Sequence, residues 1–323
     1  MVNYPPPKGK YEALLTVVKV LAEDGPLSPK ELVEKDAVRA FGYSEADGTT
    51  LSPGNSSQAY DELEDVLGVV TSDTNRNLRL TRSSEETDPF LPDASGEGLA
   101  TLLNSDDAQE LRRAEVTAFL LRKLNTYDMS IQGGTIDKAF HEFTKVLWRE
   151  RDSTTGVYKS DWSPKNLIGS DKLPAGGKWN NNKVKFIRDR AVNLGVAERE
   201  YTNTGRDNLL PVFSTDVFQI GFYLTYQHFQ EQENETSPEF EEFYQKFKNA
   251  WYPLPREFYN RHIMNQGLLA RETIISRSSY PILYSKLEED NGSQEQFKVR
   301  HFEAETAWSE DITASEFEIE AVQ

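Results

Sequence analysis

The residues of this sequence best equipped for chemistry are the lysines, arginines and asparagines gathered in KWNNNKVKFIRDR, residues 178–190. Lysine and arginine neutralise phosphate and position a protein on a nucleic acid. Asparagine can make paired hydrogen bonds to an adenine edge, so the mixture holds both a positioning and a reading component. Helical spacing sorts them. Lys178, Asn181, Lys185 and Arg188 follow one another at intervals of three and four and share a side, whereas Lys183 and Arg190 border the apolar stripe of Val184, Ile187, Ala191 and Leu194 on its other edge. The expected nucleic-acid-binding set is therefore Lys178, Asn181, Asn182, Lys183, Lys185, Arg188 and Arg190, with the first group as the reading face. If its five cations each met a phosphate, log affinity would fall against log salt with a slope of about -4.5 on B-DNA. Two blander readings stand beside this one: a solvated helix face, or a basic surface docking onto an acidic part of the same chain.

Charge distribution singles out the same region. The chain of 323 residues carries 53 acidic and 36 basic side chains, net -17. Residues 1–110 hold 9 basic and 21 acidic groups, net -12; residues 111–200 hold 17 and 11, net +6; residues 201–323 hold 10 and 21, net -11. Uniform acidity would serve solubility, and a segment that escapes it is expected to meet something negative. With no cysteine and so many carboxylates, the composition looks like that of a halophilic, haloarchaeal cytoplasmic protein, where screening lengths shrink to about 3 Å near molar salt. No apolar run reaches the roughly 18 to 20 residues that span a bilayer, and no signal core follows the first basic residues, so a cytoplasmic location without membrane partners is expected.

The absence of cysteine rules out disulfides, thiolate nucleophiles and cysteine-ligated zinc. His141, His228, His262 and His301 are widely separated and form no HExxH pair, so each is read as structural, and no metal or cofactor is expected. No GxxxxGK[ST], GxGxxG or GxSxG motif occurs. Carboxylates that are distant in sequence could still assemble a nuclease centre. For that reason a catalytic subunit remains the rival from another class.

The elements that must position the basic helix repeat. In the first 82 residues Leu14, Val17, Val18 and Leu21 predict a helix, Ser28-Pro29-Lys30-Glu31 a capping box, and SQAYDELEDVLGVV a third helix with Ala59, Leu63, Val66 and Leu67 inward. Strand-like 69–72 and 77–81 then flank the turn DTNR. Helix, short helix, helix and hairpin is the winged-helix order. The third helix displays Asp61, Glu62, Glu64 and Asp65, opposed only by Arg76, Arg79 and Arg82 in the hairpin, which favours a protein partner for this module.

Residues 83–107 are rich in polar and turn residues and are expected to be a linker. A second winged-helix-like module over 108–214 has helices at 108–124 and 136–148, then the basic helix and a Gly205-tipped hairpin. A third, over 215–323, opens with an aromatic helix and continues with SPEFEEFYQKFKNAW. Helices follow at 256–265 and 281–289, then a strand at FKVRHFE. Its Phe240, Phe243, Phe247, Trp251, Phe258 and Tyr259 recur at helical spacings and are expected to be core. The fold class expected is mainly α with small β-hairpins, as tandem winged-helix-like modules.

The motif KWNNNKVKFIRDRAVNLGVAE, the aromatic helical segment after it, and the passage through SRSSYPILYSKLEEDNG into a C-terminal strand resemble the DpdG family, over about residues 10–310. That family belongs to gene clusters that put 7-deazaguanine derivatives into DNA and restrict DNA lacking them. The resemblance implies an accessory, DNA-facing role in phage defence and carries over no catalytic residues. The acidic first module departs from what direct DNA contact requires. Together these readings predict a non-enzymatic DNA-binding adaptor whose middle domain meets DNA and whose acidic modules meet partner proteins of a defence or modification complex. The alternatives are the nuclease subunit and a winged-helix transcription regulator.

Overall fold

Leu14, Val17, Val18 and Leu21 lie on one side of α1 (Tyr11–Asp24), and all four are buried. At Gly25 the chain leaves the helix, and α2 (Pro29–Glu34) starts on the predicted capping box: Ser28 Oγ accepts from Glu31 N at 3.3 Å while Glu31 Oε2 accepts from Ser28 N at 2.9 Å. The short α3 (Asp36–Arg39) follows. The computed structural model describes residues 11–39, 60, 62–83, 88–106, 109–127, 129–131, 134–136, 139–149, 162–170, 173, 179–201, 207–212, 214–229, 240–255, 259, 272–276, 296–302 and 316–322. Over these the protein is mainly helical with small antiparallel sheets.

The chain divides into two units, residues 1–88 with 93–214, and residues 89–92 with 215–323. In the first, residues 62–65 are helical and Leu63, Val66 and Leu67 are buried; the predicted start of this helix lies outside the described residues. Strands β1 (Val70–Ser72) and β2 (Leu78–Leu80) pair antiparallel, Thr71 opposite Arg79. Their turn is locked by Asp73, whose Oδ1 accepts from Asn75 N at 2.7 Å and Asn77 N at 2.8 Å and whose Oδ2 accepts from Asn77 Nδ2 at 3.2 Å.

The amide of Asn77, helped by that of Asn75, holds the Asp73 carboxyl below the usual carboxylate range. A depressed folded-state value means stability that is present above the unfolded pKa and lost as pH falls through the folded one. In an acid titration followed by NMR, the Asn77 amide is expected to shift with a midpoint below the ordinary aspartate value of about 3.9; a midpoint at or above it would contradict the turn geometry.

Residues 88–106, the described part of the predicted linker, are not a loose tether. They contain α4 (Gly96–Leu103), in which Leu99, Ala100, Leu102 and Leu103 are buried. Ser95 caps it, accepting from Gly98 N at 3.0 Å, and Asp93 accepts in turn from Ser95 and from Ser83 Oγ. The Ser, Asp and Gly residues that look like a solvated tether in the sequence are the cap and close-packing residues of a buried helix. The chain continues into α5 (Gln109–Thr126), where Arg122 Nε meets both Asp88 carboxylate oxygens at 3.0 and 3.1 Å in a pair largely withdrawn from solvent. A small hairpin absent from the sequence reading, β3 (Met129–Ile131) with β4 (Gly134–Ile136), separates α5 from α6 (Ala139–Arg149).

Phe140, Phe143, Leu147 and Trp148 of α6 are buried, and Phe143 meets the edge of the fully buried Trp162 with centroids 5.6 Å apart. After α7 (Pro164–Leu167) come α8 (Asn181–Asn193) and the hairpin of β5 (Ala197–Tyr201) and β6 (Asp207–Pro211), in which Arg199 lies opposite Leu209.

The second unit begins with α9 (Thr215–His228), followed by α10 (Phe240–Ala250). Of the aromatic residues predicted to be core, Phe243, Phe247, Trp251 and Tyr259 are buried, Phe240 has no described side-chain environment and Phe258 lies outside the described residues. Two rings of α9 that the spacing argument did not include join them in the core: Phe218 lies 4.9 Å from Phe247 and 5.5 Å from Tyr259, and Phe222 lies 4.7 Å from Phe243. Phe90 of the tetrapeptide Pro89–Pro92 adds to it, 4.8 Å from the His228 ring and edge-on to Trp251. Strands β7 (Glu272–Ser276), β8 (Gln296–Phe302) and β9 (Glu316–Val322) form an antiparallel sheet with β8 central, Lys298 opposite Glu320 and Arg300 opposite Glu318. β8 coincides with the predicted strand, while β7 and β9 add pairing that the sequence reading lacked. The helices predicted at 256–265 and 281–289 fall outside the described residues, apart from Tyr259.

Candidate nucleic-acid interface

The stripe read from the sequence orients α8: Val184, Ile187, Ala191 and Leu194 are all buried. Asn180 stands at its start, its carbonyl accepting from Val184 N at 3.1 Å. Gly195 ends it with φ 65°, a left-handed conformation that suits glycine. There Gly195 N donates to the Val192 carbonyl and Val196 N to that of Ala191, the paired bonds of a Schellman stop, after which the chain enters β5.

The seven predicted site residues divide. Asn181 and Lys185, four residues apart, are both exposed. Lys178 lies outside the described residues, and Asn182 and Lys183 belong to α8 without a described side-chain environment. Arg188 and Arg190 do not belong to an exposed face. Arg188 is 4% exposed and lies 3.4 Å from Asp189, and Arg190 is 3% exposed. Arg190 makes a fork to Glu62, with Nε to Oε1 at 2.8 Å and Nη2 to Oε2 at 2.6 Å, across 128 residues of sequence. The planar guanidinium matches both carboxylate oxygens, which is what makes such a pair tolerable out of water.

This corrects two expectations together. Arg190 is a structural cation, and Glu62, 2% exposed, is not part of a displayed acidic face. Glu64 is also engaged, its Oε1 accepting from Ser72 N at 3.0 Å, and Asp65 stays exposed. Burial pushes the Glu62 carboxyl above its usual range, and the Arg190 guanidinium opposes that push. The docking of a basic residue onto an acidic part of the same chain is thus realised for Arg190. Spacing alone could not single out the pair, because residues at the margin of an apolar stripe point outward or inward according to what packs there.

Among the described residues no group of three or more histidine, aspartate or glutamate side chains is placed to hold a metal ion. Of the histidines, His141 is buried in α6 and His228 lies beside Phe90. No helix among the described residues is long and apolar enough to cross a membrane. No protein-family model, curated protein or solved structure matches this chain.

Proposed function

We propose that this protein is a non-enzymatic DNA-binding adaptor, an accessory component of a DNA-modification or phage-defence system, and that α6, α7, α8 and the β5–β6 hairpin act as a winged-helix-like reader. The observation that carries the reading is the exposure of Asn181 and Lys185 on the helix that stands third, before the hairpin, within residues 111–200, which carry net charge +6. A phosphate-seeking lysine one turn from an asparagine able to read a base edge is what such a helix needs. The repeated order of α1, α2, helix 62–65 and β1–β2 supports a second module of the same type.

The buried arginines alter the expected strength. With Arg188 and Arg190 withdrawn, Lys178, Lys183 and Lys185 remain, and three phosphate contacts give a slope of log affinity against log salt of about -2.7 instead of -4.5. Fluorescence anisotropy with labelled duplex over a salt series measures it. Lys185→Ala is expected to make the slope shallower by about 0.9. Affinity that does not change with salt would sink the proposal. Plasmid cleavage with magnesium that stops on adding chelator would favour the nuclease reading.

A further inference from the structure

Arg76 is the one non-glycine residue with positive φ, 64°, among the described residues. It sits at the tip of the β1–β2 hairpin, where Thr74, Asn75 and Arg76 are all exposed, and among the described residues no hydrogen bond or ion pair engages its guanidinium. Glycine or asparagine would occupy this left-handed position at lower conformational cost, and asparagines flank it on both sides. Arginine is thus not the residue that the turn's own stability favours at this position. Backbone strain that persists because the surroundings over-determine it is a pointer to function, and here Asp73, bonded to two backbone amides and one side-chain amide, enforces the turn.

Charge gives an independent argument. Residues 70–83 contain Arg76, Arg79 and Arg82 against Asp73 alone, net +2, inside a stretch of 110 residues with net -12. The acidic helix that argues against a polyanion is partly neutralised by the fold, since the Glu62 carboxylate is paired with the Arg190 guanidinium. Helix 62–65 also leads straight into β1, with Val69 N donating to the Leu63 carbonyl at 2.9 Å, so the Glu62–Arg190 pair couples the hairpin to α8 within one unit.

We infer that the β1–β2 tip is a second contact to a nucleic-acid backbone, with the Arg76 guanidinium taking a phosphate and Thr74 and Asn75 beside it. This rests on the reading of α8 given above. A guanidinium fork suits phosphate, and a preformed turn loses little freedom when it binds.

The test uses the full chain, labelled duplex DNA and three variants. Arg76→Gly is expected to keep or raise the thermal midpoint, weaken binding on every duplex sequence, and make the salt slope shallower by about 0.9. Arg76→Asn, which also accepts a left-handed backbone, is expected to do the same to binding and guards against an unfolded glycine variant. Arg113→Ala, the loss of an equal charge at an exposed position of α5, is expected to leave affinity nearly unchanged. If the wild type binds and Lys185→Ala weakens it while both Arg76 variants bind normally, the tip is no contact and the α8 reading survives. An equal loss in Arg113→Ala would reduce the effect to net charge and overturn the inference. A wild type that binds no DNA removes both readings at once.

Discussion

Arg190→Met, or Glu62→Leu, is expected to lower the free energy of unfolding by about 3–5 kcal/mol, whereas the two combined should return the protein to within about 1 kcal/mol of wild type. The asymmetry follows from where the two charges lie. Both side chains are almost completely removed from water, and each is tolerable there because the other supplies two short, parallel, charge-assisted hydrogen bonds. Removing one leaves an uncompensated buried charge. Removing both leaves an apolar contact of similar volume and no desolvation penalty.

Urea denaturation of the two singles and the double closes the cycle, with a coupling energy well beyond that of distant sites as the expected result. Additive single effects would mean the pair does not exist. A pH series adds a second check. In Arg190→Met the Glu62 carboxyl loses the partner that opposes its upward shift, so the folded state holds a proton that the unfolded state releases. A raised folded value places that contribution below the unfolded pKa and removes it as pH rises through the folded one. The deficit of Arg190→Met should therefore narrow as pH is lowered from neutral toward about 4, the ordinary glutamate value being about 4.3.

Gly96→Ala is the second large effect expected, at the upper end of overpacking penalties or about 3 kcal/mol. A Cβ built at Gly96 would collide with the Val69 carbonyl oxygen and come within 3.0 Å of Thr81 N. Neither neighbour can rotate away, because both are main-chain atoms already bonded to each other, Thr81 N donating to the Val69 carbonyl at 3.1 Å. The same junction uses Gly96 N to Thr81 Oγ1 at 2.7 Å and Glu97 N to the Thr81 carbonyl at 3.0 Å. Here the first turn of α4 docks against the end of the first hairpin, and only a residue without a side chain permits that approach. A melt of Gly96→Ala should show a lowered midpoint, and retention of the wild-type midpoint would mean that residues 83–107 behave as the loose connection their composition suggests. Gly25→Ala probes the opposite case: nothing lies within 4 Å of a Cβ there, so any penalty comes from its φ of 75° alone.

Local signals in this sequence are strong enough to fix many elements without a tertiary structure. The capping box at Ser28 and Glu31, the stripe Val184, Ile187, Ala191 and Leu194 with Gly195 as its stop, and the alternation around DTNR each need only neighbours within a few residues. The mainly helical character and the core positions of Phe243, Phe247 and Trp251 follow from the same short-range periodicity. What spacing cannot decide is which polar residues are used up inside. Glu62 and Arg190 lie 128 positions apart and each looks like a solvated surface charge; only packing removes both from the surface and leaves Asn181 and Lys185 as the exposed members of the predicted set among the described residues. The described residues 88–106 depart from a linker for a related reason, since Gly, Ser and Asp serve equally in a tether and in the capped, close-packed start of a buried helix. Composition reports how well a residue is solvated when exposed, whereas burial and pairing are set by partners brought in from far along the chain, and these decide which charges are left for a ligand.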